Sequence, residues 1–299
     1  MKKILLTGKN GQVGWELQRM LTASGEVVAM DAEAMDLADP EGIRRTVQAV
    51  RPDIIINPAA YTAVDKAESE PDLAMAVNGI APGVLAEEAL KLDAVLVHYS
   101  TDYVFDGSKP APYTEDDMPN PQSIYGRTKL AGESAVRASG CKHLILRTSW
   151  VYGVHGGNFV KTILRLAKER DELRIVADQY GAPTWARDLA GATMNALIAW
   201  EMSDWNEELG GTYHLTGGGR TNWHGFAEEI VRLARKYDAA LADKQLVIKP
   251  IATHEYPVPA KRPVNSVLAS DRIQTNFGIR LPEWQDSLAA NIRLLYQQA

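Results

Sequence analysis

Three observations predict a doubly wound α/β fold, with a parallel, Rossmann-like sheet and a smaller C-terminal α/β lobe that binds substrate. Short apolar runs alternate with helical stretches through the first half of the chain, the pattern of a parallel sheet fed by crossover helices. The first run ends in a glycine turn that opens a helix, Gly8-x-x-Gly11-x-x-Gly14. A third run, Asp53-Ile54-Ile55-Ile56-Asn57, is apolar without interruption at its centre, as a strand covered on both faces must be.

Taken in order, Lys3 to Thr7 is a strand, and the segment after Gly11 is a helix with Val13, Leu17 and Met20 or Leu21 on one side. The glycine spacing differs from the Gly-x-Gly-x-x-Gly fingerprint, but the three residues suit the same jobs. They allow a tight turn, close approach of backbone to a pyrophosphate and a helix N-terminus aimed at the anion. By itself the triplet is equally a tight loop. Glu26 to Met30 is the second strand and ends in Asp31, seventeen residues after Gly14. An acid at that place can accept from ribose hydroxyls, or it is a solvated loop residue. Asp36 and Leu37 are placed near an adenine. Pro40 to Val50 is a helix with proline in its first turn, and Asp53 to Asn57 is the third strand.

Small residues follow, Pro58-Ala59-Ala60-Tyr61-Thr62-Ala63, where a cofactor would cross the strand ends. Leu73 to Leu92 is a long helix, Ala94 to Tyr99 a fourth strand running into Ser100-Thr101-Asp102, and the proline-rich Lys109 to Gln122 a substrate-side flap. A helix from Tyr125 and a fifth strand, His143 to Arg147, complete the regular part. Residues 1–150 are thus expected to bind a dinucleotide. Residues 151–299 form the substrate lobe, with segments returning to the first domain. Helices are expected over 158–168, 184–200, 222–236 and 283–298, and strands over 211–215 and 246–250.

Composition excludes several classes. The 299 residues carry 32 basic and 38 acidic side chains, a formal charge of −6, with no basic patch of the kind a nucleic acid requires. The single cysteine, Cys141, has no partner for an intrachain disulfide, and the six histidines do not cluster at metal-ligand spacing. No metal is expected in the active site. Gly8 to Gly11 break the N-terminal apolar run before it could serve as a signal sequence, and no 18-residue apolar stretch predicts a membrane span. A cytoplasmic enzyme fits.

The chemistry sits in Tyr125-Gly126-Arg127-Thr128-Lys129. On a helix, Tyr125 and Lys129 lie one turn apart on one face. A phenol beside an ammonium is a proton donor whose ordinary pKa, about 10, the cation lowers. An ordinary surface helix carries the same pair, so the weight comes from the rest of the chain. Arg262, in the proline-stiffened Pro257 to Pro263 loop, is a guanidinium suited to a diphosphate.

Together, the glycine turn, Ser100-Thr101-Asp102-Tyr103-Val104-Phe105-Asp106-Gly107 and Tyr125-x-x-x-Lys129 resemble the extended short-chain dehydrogenase/reductase family. Ala63 to Glu68, Arg147 to Tyr152, Asp178-Gln179-x-Gly181-x-Pro183-Thr184 and Ala260-x-Arg262-Pro263-x-x-Ser266 extend the resemblance over essentially the whole chain, toward its sugar-nucleotide ketoreductases. The resemblance implies that NADH or NADPH reduces dTDP-4-dehydro-L-rhamnose to dTDP-L-rhamnose, a precursor of cell-surface polysaccharide. It implies that Gly11, Gln12 and Val13 cover the pyrophosphate, with Gly8 and Gly14 shaping the turn. Asp31 then faces the ribose, Ala60, Tyr61 and Thr62 flank the cofactor, and Tyr99 lies beside it. Tyr125 is then the proton donor, Lys129 its tuner and a ribose contact, and Thr101 a second donor to the developing charge. Thr101, Asp102, Tyr125, Trp150 and Arg262 would hold the sugar nucleotide. The expected partner is that substrate, with neither nucleic acid nor membrane, and a homodimer is allowed. Some relatives bridge subunits through magnesium. Glu16 survives here, but its companions do not stand out, so no metal is assigned. Another sugar-nucleotide reductase, an epimerase that keeps its cofactor, or a non-catalytic subunit such as that of methionine adenosyltransferase would share the fold.

Overall fold

The isoleucine run does lie at the middle of the molecule. The computed structural model describes residues 1–297. Its strands are β1 (Lys3–Leu6), β2 (Glu26–Ala29), β3 (Ile54–Asn57), β4 (Val95–Thr101), β5 (His143–Thr148), β6 (Val151–Tyr152), β7 (Glu172–Val176), β8 (Tyr180–Gly181), β9 (Thr184–Trp185), β10 (Gly211–His214), β11 (Thr221–Asn222) and β12 (Val247–Ile251). Six of them form one parallel sheet in the order β10-β5-β4-β3-β1-β2. The strand alternation sorts its residues onto two faces. Leu5, Ile55, Leu96 and Ile145 pack with Val47, Leu85 and Val136 on one side. Ile4, Leu6, Ile54, Ile56, Val95, Val97, Leu144 and Leu146 pack with Leu17, Leu189, Leu197 and Trp200 on the other.

The chain leaves β1 toward β2 and returns on the opposite side to β3. Crossover helices therefore diverge there, and a crevice opens at the carboxyl ends of β1 and β3. Two segments of the second half complete this layer: the Ala186–Met202 helix covers the sheet, and β10 extends its edge beside β5. The remaining core gathers Tyr152, Val160, Ile163, Trp185, Phe226, Ile230, Trp284, Leu288 and Ile292 around the Phe159–Glu169, Trp223–Ala234 and Trp284–Gln297 helices. Gln298 of the expected last helix lies outside the described residues.

Three expectations change. The long helix is Pro71–Met75, one π-type stretch Ala76–Ile80 and Ala81–Leu92. Pro82 has no N–H to offer the Asn78 carbonyl, and a wider turn before it relieves the clash of its ring. An 18-residue window of this 22-residue run has a mean hydropathy of 1.2, apolar enough by length and composition to cross a membrane, contrary to the sequence reading, but 61% of that window is buried. The proline-rich segment is no flap. Tyr113 is buried, stacks on Phe105 at 4.3 Å and bonds across to Val267 and Ala269, while Glu115 accepts from His214 N. The strand β7, parallel to β12, was missed because only Leu173 along it is buried, leaving no period to read.

Candidate active site

The glycine turn is built by contact, each glycine for a stated reason. Gly8 has φ +58°, and a Cβ on Gly14 would lie 2.1 Å from the Gly8 carbonyl oxygen. Only glycine lets the helix start that close to β1. The Gln12–Leu21 helix has Gly11 as its N-cap with no side-chain bond, so its first N–H groups are uncapped where they face the crevice. An anion such as a pyrophosphate fits there.

The crevice is a cavity of ≈ 630 Å³ lined at one end by Gly8, Gly11, Gln12, Val13, Gly14, Asp31, Asp36 and Leu37, and along its length by Ala60, Thr62 and Tyr99. Tyr125 and Lys129 line it as well. A cavity lined by Asp31, an uncapped helix N-terminus, and a phenol with a lysine has the groups a dinucleotide needs, so the residues present suit NADH or NADPH. Among the residues the sequence reading passed over, Met30, Met35, Val77, Ser100, Thr148, Gly156 and Gly157 also line it. The two glycines come from a loop after β6 held by the glycine turn. Gln12 Nε2 donates to Val151 O at 3.3 Å, and Asn158 Nδ2 donates to Gln12 Oε1 at 2.9 Å. The sequence signal was the unassigned Gly156-Gly157 pair.

Tyr61 does not line the cavity. Its hydroxyl donates to Glu70 at 2.6 Å, while Asn78 in the π-type turn binds both its N–H and its carbonyl, turning the ring aside. Asp31 does line the cavity, and its charge is met by a cation. Lys9, from the glycine turn, reaches Asp31 Oδ2 at 3.0 Å, and that hydrogen bond, with Ala34 N–H, holds the carboxyl below its usual range.

At the other end burial dominates. The Tyr125–Lys129 helix is N-capped by Ser123, which accepts from Gly126 N at 3.1 Å. Burial pushes the Tyr125 phenol up to about 12, and the Thr101 hydroxyl is the polar neighbour that draws it back. Burial also pulls Lys129 down to about 8, against the nearby Glu133 carboxylate. The expected lowering of the phenol by the lysine is not found: burial sets the Tyr125 phenol, and the neighbours acting on it are Thr101 and Asp102. Asp102 is raised to about 6, chiefly by burial, and its Oδ2 has no partner.

Thr101, Asp102, Trp150 and Arg262 lie outside the walls of this cavity. Thr101 Oγ1 donates to Asp102 Oδ1 at 2.9 Å. Arg262 Nη2 donates to Asp65 Oδ2 at 2.7 Å, its Nη1 is buried without a partner, and its guanidinium lies 6.0 Å from the Tyr103 ring. Tyr103 in turn meets Tyr125 edge-on at 5.5 Å. Trp150, at φ +48°, stacks on Trp223 at 3.6 Å, and Gly181 leaves it room: a Cβ there would sit 2.5 Å from the indole. Beneath them, Arg147 grips Glu133 through Nε and Nη2 at 2.9 and 2.7 Å, and Ser100 donates to the same carboxylate at 2.6 Å. Among the described residues, no group of three His, Cys, Asp or Glu is placed to hold a metal.

Comparison with known proteins agrees with this geometry. Residues 1–297 match the family described as RmlD substrate binding domain. A dTDP-4-dehydrorhamnose reductase of Burkholderia thailandensis is 49% identical over 297 residues, 99% of this chain and 100% of that one. The crystal structure of a dTDP-4-dehydrorhamnose reductase from Clostridium acetobutylicum superposes with a TM-score of 0.90 at 42% identity, over 98% of this chain and 99% of the other. One from Bacillus anthracis, in complex with NADP, gives 0.88 at 37% identity, over 98% and 99%. The chain therefore belongs to the RmlD substrate binding domain family, that of the dTDP-4-dehydrorhamnose reductases it matches.

Proposed function

We propose that this protein reduces dTDP-4-dehydro-L-rhamnose to dTDP-L-rhamnose. The observation that carries the reading is the single cavity at the sheet's switch point, which joins an uncapped helix N-terminus and Asp31 to Tyr125 and Lys129. NADH or NADPH bound there supplies the hydride. Tyr125, kept protonated by burial, gives its proton to the C4 oxygen of the sugar as charge develops on it. Thr101, turning its one hydroxyl hydrogen away from Asp102, donates a second hydrogen bond to that oxygen, and Lys129 orients the nicotinamide ribose. Asp102 offers its unpartnered oxygen to a sugar hydroxyl. Trp150 covers the apolar face of the sugar, and Arg262, aligned by Asp65, offers Nη1 to the diphosphate.

In this reading the six-stranded sheet and its two covered faces form the cofactor lobe. The core around Phe226 and Trp284 carries the substrate lobe, and the enzyme works in the cytoplasm. The test is oxidation of NADH or NADPH, followed by absorbance, with freshly made dTDP-4-dehydro-L-rhamnose against its UDP analogue. Consumption equal to the sugar reduced supports the reading. Sugar conversion without net cofactor loss would indicate an epimerase.

A further inference from the structure

Beneath the cavity runs a line of buried polar side chains, of which the reaction as described uses only Lys129. Thr7 Oγ1, at the end of β1, donates to Asn57 Oδ1 of β3 at 2.6 Å. Asn57 Nδ2 lies 3.1 Å from His98 Nδ1 on β4, and His98 Nε2 lies 3.3 Å from Lys129 Nζ. Lys129 closes the line by donating to Tyr99 O at 2.6 Å. None of Thr7, Asn57, His98 and Lys129 is more than 2% exposed, so their polar atoms depend on protein partners, most of which lie within the line.

The direction of donation follows from the ends. Asn57 receives the threonine hydrogen on Oδ1 and so turns its N–H toward His98. The imidazole then accepts at Nδ1 and carries its hydrogen on Nε2. That N–H points at the lysine nitrogen. An ammonium has no lone pair to receive it, whereas a neutral amine has one. The chain of donors is thus continuous, from Thr7 to the Tyr99 carbonyl, only with Lys129 as the amine.

We propose that His98 is a positioning residue whose Nε2–H, in the tautomer imposed by Asn57 and Thr7, holds Lys129 ready to surrender its charge. The burial that lowers Lys129 acts in the same direction, and burial keeps His98 neutral by pulling it well below its usual value. The other groups nearby are accounted for. Glu133, one turn along the same helix, favours the ammonium but is held by Arg147 from β5 and by Arg137. His143, also on β5, faces His98 and opposes a charge on it. Tyr99 and Tyr125 are phenols pushed upward, and Asp102 acts on Tyr125. Because Thr7 lines the cavity, the far end of the chain lies where the cofactor would bind.

The consequence for turnover rests on the reductase reading, but the charge of Lys129 can be measured without it. In the full-length protein carrying ¹³C-labelled lysine, the Lys129 resonance, assigned by its loss in Lys129→Met, is titrated by NMR. The wild-type midpoint is expected near 8. In His98→Gln the amide can turn its oxygen to the lysine and accept from an ammonium, so the midpoint rises by about one pH unit, tenfold in proton affinity. Thr7→Val frees Asn57 to turn over, and the midpoint rises by less. An unchanged or lower midpoint in both folded variants overturns the proposal. If the midpoint rises while the alkaline limb of kcat/KM stays where it was, the chain sets the lysine charge as stated, and the role given to Lys129 in the reaction fails instead.

Discussion

The two ends of the cavity handle charge in opposite ways. At the nucleotide end, Asp31 is met by Lys9 in the open, and the pair holds the acid ionised. At the reaction end, Tyr125, Lys129 and Asp102 are all pushed toward their neutral forms by burial. Screened charges at the first end act weakly and are easily rearranged. Groups at the second are largely withdrawn from water, so burial sets their protonation and each remaining hydrogen bond weighs more. In the proposed reading, recognition is thus placed where small energies suffice, and proton transfer where large ones are available.

The largest effect expected from this contrast is at Tyr125. Tyr125→Phe keeps the ring against Tyr103 and removes only the proton, so kcat should fall about 10²- to 10⁴-fold with cofactor affinity retained. Lys129→Met should cost at least as much and weaken cofactor binding too. Stopped-flow hydride transfer and equilibrium cofactor binding measure the two separately. A folded Tyr125→Phe protein that keeps more than about a tenth of its kcat when hydride transfer limits the rate ends the assignment.

Next in size is the ion pair beneath the reaction end. Arg147→Met leaves the Glu133 carboxylate buried with only Arg137 and Ser100, and should lower stability by about 3–5 kcal/mol in urea unfolding. The Glu133 carboxyl is depressed by Arg147 despite burial. Its contribution is therefore full above the ordinary glutamate range, about 4.3, and is lost as pH falls through its lower folded value. Acidification should destabilise the wild type more steeply than Glu133→Gln. Parallel acid profiles for the two would show that the pair does not couple to the fold.

Between the ends stands Arg262. Its partner Asp65 is polar and half-exposed, yet Nη1 is buried and unpaired. Arg262→Ala should raise the Kd for the sugar nucleotide by about tenfold or more while leaving NADH binding near its wild-type value, both by calorimetry. Equal losses for the two ligands would place the residue in the fold and not in recognition.

The buried end was the more legible in sequence, for a physical reason. Tyr125 and Lys129 share a helix, so their relation depends only on a local period. The all-apolar Ile54-Ile55-Ile56 announces a covered strand in the same way. Contacts between distant segments left no such trace. Nothing local in Lys9 shows that it turns back to Asp31, or in Gly156 that Gln12 holds its loop over the cavity. The resemblance placed Tyr61 beside the cofactor, in a stretch of small residues, but Asn78, seventeen residues on and in a turn that Pro82 forces, directs it elsewhere. The place of β10 in the main sheet likewise depends on a partner 67 residues back, Gly211 beside Leu144.

The smallest effect expected, and the most direct probe of the exposed end, concerns the choice between the two cofactors. A 2′-phosphate brought to Asp31 meets a carboxylate, whereas a 2′-hydroxyl can donate to it. Lys9 changes the balance. It lies 3.0 Å from the same carboxylate and can turn to a phosphate, so both cofactors find a partner in one place. Asp31→Ala should then lower kcat/KM for NADH and raise or preserve it for NADPH, and Lys9→Ala should do the reverse. Each ratio should move by no more than about tenfold, or 1.4 kcal/mol, because both side chains are in contact with water. The shifts should shrink as salt is added, since screening weakens an exposed pair. The buried end predicts no such salt dependence for Tyr125→Phe. If both cofactors lose equally in both variants, Asp31 and Lys9 only brace the turn, and selectivity resides in other residues of the cavity wall.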